Sequence, residues 1–145
     1  MSKATDFLSK EEEQEIVSAI QEAELNTSGE IRIHIEATSK KEAYERAQEV
    51  FGELQMHQTE QRNGVLLYLA VDDHQFAICG DEGIDKVVAD DFWDCTRDIM
   101  ASNFKKGNFK EGIIAGILNA GEQLKQFFPY QTDDTNELSN EISKG

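Results

Sequence analysis

The sequence predicts an α/β domain with helices on both faces of a small mixed sheet, and three observations predict it. The run Val65-Leu66-Leu67-Tyr68-Leu69-Ala70-Val71 is continuously apolar, as a central strand covered on both sides requires. Glu30-Ile31-Arg32-Ile33-His34-Ile35-Glu36 alternates strictly, which gives a strand near a sheet edge with one apolar and one polar face. Apolar residues at helical spacing precede, separate and follow these strands.

The first helix occupies residues 10 to 25. Ser9 and Glu12 have the spacing of a capping box, Glu11, Glu12 and Glu13 suit the positive helix end, and Ile16, Ala19, Ile20 and Ala23 form the apolar stripe. After the turn Asn26-Thr27-Ser28-Gly29 and the first strand, Ser39 and Glu42 predict a second capping box. The helix it opens buries Ala43, Ala47, Val50, Phe51 and Leu54. Strand, helix, strand makes the first two strands parallel. Asp72-Asp73-His74 then turns the chain into Gln75-Phe76-Ala77-Ile78-Cys79, the antiparallel arm of a hairpin. A short fourth strand is expected within residues 84–88. A helix follows from Asp90 or Asp91, with Phe92, Ile99 and Phe104 on its apolar side and Gly107 as its stop. Asn108 and Glu111 cap the last helix, whose Gly112, Gly116 and Ala120 allow close approach to the sheet.

At 145 residues the chain is the size of one domain. Its expected extent is residues 1–129, with Pro129 ending the ordered part and residues 130–145 forming a flexible acidic tail. Acidic residues outnumber basic ones by 29 to 14, a net charge of −15, which excludes nucleic acid and anionic membranes as partners over most of the surface. Cations and proteins with a basic surface are the matching partners. No secretory leader and no apolar run long enough to insert into a membrane is recognisable, so a cytoplasmic protein is expected. Two cysteines, Cys79 and Cys95, suggest neither a disulfide framework nor a zinc site and are read as small buried residues.

The chemistry follows from strand direction. One rim gathers the starts of the first two strands and the end of the third, bringing Glu30, Asn63, Asp81 and Glu82 together; the loop from 83 to 91 leaves the same rim and adds Asp85, Asp90 and Asp91. Singly, each acidic residue could be a cap, a turn residue or a solvated strand end. Pooled carboxylates repel unless they are splayed in water, share protons or hold a cation. Oxygen ligands without a Cys or His set favour calcium first and magnesium second. Glu30, Asn63, Asp81, Glu82, Asp90 and Asp91 are therefore the expected metal-binding residues, while no catalytic residue is identified. At the opposite rim Asp72-Asp73 reads as a hairpin turn, and His34 as a half-exposed strand residue.

Thr27-Ser28-Gly29-Glu30-Ile31, Thr59 with Arg62-Asn63-Gly64-Val65, Ile78-Cys79-Gly80-Asp81-Glu82-Gly83-Ile84, Trp93, and residues 104–107 followed by Gly112-Ile113 are similar, in order and spacing, to the TPM domain. That family is named for a thylakoid lumen protein, a photosystem II repair protein and a worm receptor modulator; the resemblance spans residues 7 to 129. It implies a three-layer α/β/α sandwich around a small mixed sheet of about four strands. It also implies calcium binding and the acid phosphatase activity attributed to plant relatives. Glu30, Asn63 and Asp81 fall on the family's motif positions, and Asp90 and Asp91 fall where its next helix begins. The leader, membrane anchor and Gly-rich tail of many members are not recognisable, so a lumenal or surface-attached role is not expected. The function expected is a stand-alone regulatory or interaction domain whose divalent cations order two loops. The alternative is a metal-assisted phosphatase acting on phosphomonoesters.

Overall fold

The computed structural model of the chain describes residues 8–59, 61–129 and 142–144. Helix α1 (Lys10–Glu24) opens on a reciprocal cap, with the Glu12 amide donating to Ser9 Oγ at 3.1 Å and the Ser9 amide to Glu12 Oε1 at 3.0 Å. Strand β1 (Glu30–Glu36) follows, then α2 (Ala43–Glu53), β2 (Gly64–Ala70), β3 (Gln75–Gly80), the single-turn α3 (Glu82–Asp85), α4 (Asp94–Lys105), α5 (Phe109–Lys125) and the two-residue β4 (Ser143–Lys144).

The strands lie in the order β3-β2-β1-β4. β2 is parallel to β1 and antiparallel to β3, and β4 runs parallel to β1. All seven residues of β2 are buried, as its unbroken apolar run requires. On one face Ile31, Ile33, Ile35, Val65, Leu67 and Ile78 pack with residues of α1, α4 and α5. On the other, Leu66, Tyr68, Ala70, Ala77 and Cys79 pack under α2. Each fully buried isoleucine of β1 contributes on the order of 2 kcal/mol through apolar surface removed from water.

Several local expectations are corrected. Glu42, not Ser39, caps α2: its carboxylate accepts from the Tyr44 and Glu45 amides, while Ser39 Oγ bonds within its own turn to Lys41. Residues 84–88 form no strand, because the Asp81 carboxylate accepts the Glu82 amide and starts the helical turn α3. The fourth strand is instead Ser143–Lys144, in the segment expected to be a flexible tail; residues 130–141 lie outside the described part. α4 begins at Asp94, with Trp93 at its N-cap and no side-chain capping bond, so neither Asp90 nor Asp91 caps it. Asn108 stands at the N-cap of α5, but its side chain makes no capping bond either.

The small residues of α5 admit neighbouring helices rather than the sheet. A Cβ at Gly116 would lie 2.5 Å from Met100 Sδ in α4, and one at Gly121 would lie 2.9 Å from Ala23 Cβ in α1. Cys79 is buried as expected, and burial pushes its thiol up to about 11. Cys95, in contrast, is exposed on α4.

The polar face of β1 departs most from expectation. It is not solvated: Glu36 and His34 are both buried. Arg46 of α2 reaches Glu36 in a two-pronged contact, Nε to Oε2 at 2.8 Å and Nη2 to Oε1 at 3.0 Å. Tyr68 donates its hydroxyl to the same carboxylate, and His34 Nε2 stands 3.0 Å from Oε1. His34 Nδ1 in turn meets Ser143 Oγ at 2.9 Å, so this histidine links β4 to the buried carboxylate. Burial alone would raise the Glu36 carboxyl; the bonds from Arg46, Tyr68 and His34 outweigh it and hold the group at about 2.

Because the folded value lies below the ordinary ~4.3 of a free glutamate, this contribution to stability is complete above that range. It is lost as pH falls through it toward about 2. Arg46→Met, which strands the carboxylate, is expected to cost about 3 kcal/mol at neutral pH. Urea unfolding followed by circular dichroism measures both effects. The variant's deficit should shrink in acid, where Glu36 is protonated; an equal deficit at low and neutral pH would show that packing rather than charge is at stake.

Candidate functional site

Backbone pairing builds the rim. Glu30 pairs with Gly64 across β1 and β2, and Val65 with Gly80 across β2 and β3, so the starts of two strands and the end of the third are level. The Glu30 amide donates to the Asn63 carbonyl at 3.2 Å and the Asp81 amide to the Gly64 carbonyl at 2.9 Å. Glu30, Asn63 and Asp81 therefore meet at one end of the sheet, all three buried.

Asn63 is held in place by its neighbours: its amide donates to Thr59 Oγ1 at 3.2 Å, and its side-chain nitrogen reaches Ser28 Oγ at 3.5 Å. The preceding residue, Arg62, has a left-handed backbone with φ of 52°. That conformation is costly for a residue with a Cβ and aims the guanidinium back across the rim. Arg62 Nε meets Asp81 Oδ2 at 2.9 Å and Nη2 meets Oδ1 at 3.1 Å. Asp81 Oδ1 also accepts the Glu82 amide at 2.7 Å and lies 3.0 Å from His57 Nδ1. Burial would raise the Asp81 carboxyl, but the bonds from Arg62, Glu82 and His57 leave it below its usual range.

His57, Arg62, Asp81 and Glu82 line a cavity of about 470 Å³ between α2 and the end of β3, with Tyr44, Phe51 and Cys79 on its apolar side. His57 stands edge-on to Phe51 with ring centroids 4.7 Å apart. Glu82 is exposed and divides its carboxylate between Arg62 at 3.3 Å and Lys86 at 3.0 Å. Asp85 is different. Desolvation and the charge of Asp81 both raise its carboxyl, and no cation pairs with it among the described residues.

The other expected ligands are placed elsewhere. Asp90 lies with Asp85, Glu42 and Trp93 along a second cavity of about 480 Å³ beside β3. Asp91 is exposed in the turn before α4, where its carbonyl accepts the Asp94 amide at 3.0 Å. Among the described residues no three His, Cys, Asp or Glu side chains are gathered as a metal centre would need. The sequence reading missed Arg62 and His57 as partners of Asp81. The usable signal was a lone arginine directly before Asn63-Gly64 at the mouth of a buried strand, opposite a rim with several carboxylates.

Gly83 joins the two halves of this rim. Its amide donates to the Arg62 carbonyl at 2.8 Å, and an added Cβ would lie 2.1 Å from the Gln61 carbonyl oxygen and 2.5 Å from that of Arg62. Backbone on both sides leaves no room for a side chain. Gly83→Ala is therefore expected to push the 61–62 segment away, loosen Arg62 from Asp81 and cost about 1–3 kcal/mol. Amide shifts at Arg62, Asn63 and Asp81, read beside a denaturation midpoint, check it; an unperturbed rim would mean that α3 and the loop are not tightly joined.

Comparison with known proteins agrees with this architecture. The family model described as the TPM domain matches residues 1–123. The NMR structure of the BA42 protein from the psychrophilic bacterium Bizionia argentinensis is 54% identical, superposes with a TM-score of 0.91 and covers 96% of each chain. The N-terminal domain of a protein from P. gingivalis is 18% identical with a TM-score of 0.67, covering 83% of this chain and 78% of its own. The N-terminal domain of the cg2496 protein from Corynebacterium glutamicum is 12% identical with a TM-score of 0.63, covering 95% and 80%. At those identities the last two speak for the fold alone. No curated protein matches the chain.

Proposed function

The chain belongs to the TPM domain family, and from that premise we propose that it is a divalent-cation-binding domain with a regulatory or interaction role. The observation that carries the reading is the placing of Asp81 and Asp85 on one cavity, Asp81 buried and Asp85 exposed with no cation paired to it among the described residues. A calcium or magnesium ion between Asp81 and Asp85 would turn that repulsion into attraction.

Arg62 already gives Asp81 a positive partner, so an arriving ion competes with the guanidinium. Arg62 is 41% exposed and its Nη1 already touches Glu82 at 3.3 Å, which leaves it a place to go. Exchange of this kind changes the 61–64 segment and the 80–91 segment together, because Gly83 joins them. A local change of charge then becomes a change of loop order. Glu82, on the same cavity, would supply a further oxygen or hold the ion's waters, whereas Glu30 and Asn63 share the rim without lining that cavity, and Asp90 and Asp91 would have to approach from outside it.

Titration with calcium and then magnesium, recorded as amide shifts, tests the reading. Shifts are expected at His57, Arg62, Gly83 and Asp85, weakened at least about tenfold in affinity by Asp85→Asn. Affinity should also fall on acidification, beginning above the usual aspartate range, since the ion must displace a proton from a raised carboxyl. Silence of these amides at millimolar ion would end the proposal.

A second reading, hydrolysis of phosphomonoesters, is favoured by the convergence of Arg62, His57 and Asp81 on one cavity. Water would attack phosphorus as the ester P–O bond breaks, with Arg62 meeting the phosphoryl oxygens and His57 giving a proton to the departing alcohol oxygen. The net charge of −15 opposes a dianionic substrate. Hydrolysis of a chromogenic phosphomonoester that survives Arg62→Ala and His57→Ala would remove this cavity from the chemistry.

A further inference from the structure

We propose that the open edge of β3 accepts an extended basic segment of another protein as an added strand. β3 is the outermost strand of the sheet on its side. The bond from the Asp81 amide to the Gly64 carbonyl fixes the phase of the hairpin ladder. Counting back in twos, Cys79, Ala77 and Gln75 exchange bonds with β2, and Phe76, Ile78 and Gly80 turn their amides and carbonyls away from it. Among the described residues none of these outward groups has a hydrogen-bond partner outside the strand.

Proteins ordinarily guard such an edge with a lysine, a proline, a bulge or brevity. Gln75-Phe76-Ala77-Ile78-Cys79-Gly80 has no charge and no proline, and its pairing with β2 runs without a bulge for six residues. The opposite edge is guarded: β4 is two residues long and one of them is Lys144. The contrast marks β3 as the edge left available among the described residues.

A trough rather than a wall lies beside it. The cavity of about 480 Å³ has Phe76, Ala77, Ile78 and Gly80 in its lining. Its two flanks differ in chemistry. On the α2 side stand Glu42, Asp85 and the half-exposed ring of Tyr44; on the α4 side the apolar groups are Val88 and Trp93, with Asp90 and Arg97 among them. Side chains of an added strand point alternately to these flanks. The matching segment therefore alternates basic residues, facing Glu42 and Asp85, with apolar residues, facing Val88 and Trp93. Three outward residues on β3 call for a partner of about five residues in strand form.

Charge selects a foreign partner over a second copy of this chain. Arg97, the one cation lining the trough among the described residues, is already paired with Asp94. Two copies meeting edge to edge would bring Asp85 and Asp90 of each against an equally acidic neighbour, each chain carrying −15. The inference stands on the ladder and the trough, and it does not require an ion at Asp81.

The test uses the full chain labelled with ¹⁵N and a synthetic seven-residue peptide alternating lysine and valine. A second peptide of identical sequence carries N-methyl groups on the alternate amides that would enter the ladder. The expected result is shifts and hydrogen-exchange protection at Phe76, Ile78 and Gly80, a change in Trp93 fluorescence, and loss of all three with the methylated peptide. Asp85→Asn, on the flank that faces the basic residues, should weaken binding about threefold at low salt. Equal binding of the two peptides would reduce the effect to charge attraction and overturn the proposal. So would silence at millimolar peptide, or the same amides shifting with protein concentration alone as sedimentation reports a dimer.

Discussion

The register of β2 is the constraint on which the rest of this molecule depends. Being parallel to β1 on one side and antiparallel to β3 on the other, it sets Glu30, Gly64 and Asp81 at one level. A one-residue slip of either neighbour would turn its apolar side chains to the wrong face. Burial of Ile31, Ile33 and Ile35 on one side and of Ala77 and Cys79 on the other opposes any such slip. The rim thus inherits its geometry from the core. Carboxylates that would repel one another in isolation are kept close by apolar packing some distance away.

Two arginines manage that repulsion at opposite ends of the sheet, in different ways. Arg46 projects from a helix onto the buried Glu36, and three donors converge on one carboxylate. Such a site is closed: removing any donor leaves charge or lone pairs stranded in a dry layer. Arg62 projects from a loop, is more exposed, and shares itself among Asp81, Glu82 and His57. A shared and partly hydrated contact can be exchanged at little cost. The first arginine serves the architecture, and the second leaves room for change.

Much of this fold was legible in the residues. β2 was plain because an unbroken apolar run admits few other readings, and α1 because Ser9, Glu12 and the Ile16-to-Ala23 stripe agree at every level. Helix boundaries were less legible where two caps competed, as at Ser39 and Glu42, or where a carboxylate started a turn, as at Asp81. The polar face of β1 misled because alternation does not say whether polar groups meet water or each other. Glu36 finds Arg46 ten residues on and Tyr68 thirty-two residues on, and no local pattern carries such pairings. For the rim, strand direction sufficed to bring Glu30, Asn63 and Asp81 together. The placement of Asp90 beside β3, and the hold of Arg62 on Asp81, depended on loop conformations with no periodicity to read.

β4 has a consequence of its own. It adheres to β1 through two paired residues, the contact of Ser143 with His34 and the ion pair of Lys144 with Glu13. An element so short can detach while the remaining ladder stays shut, because few bonds break and little apolar surface is wetted. Each detachment would admit water to the imidazole of His34 and, behind it, to the buried carboxylate of Glu36. β4 thus acts as a latch whose looseness sets how often this buried polar cluster meets solvent.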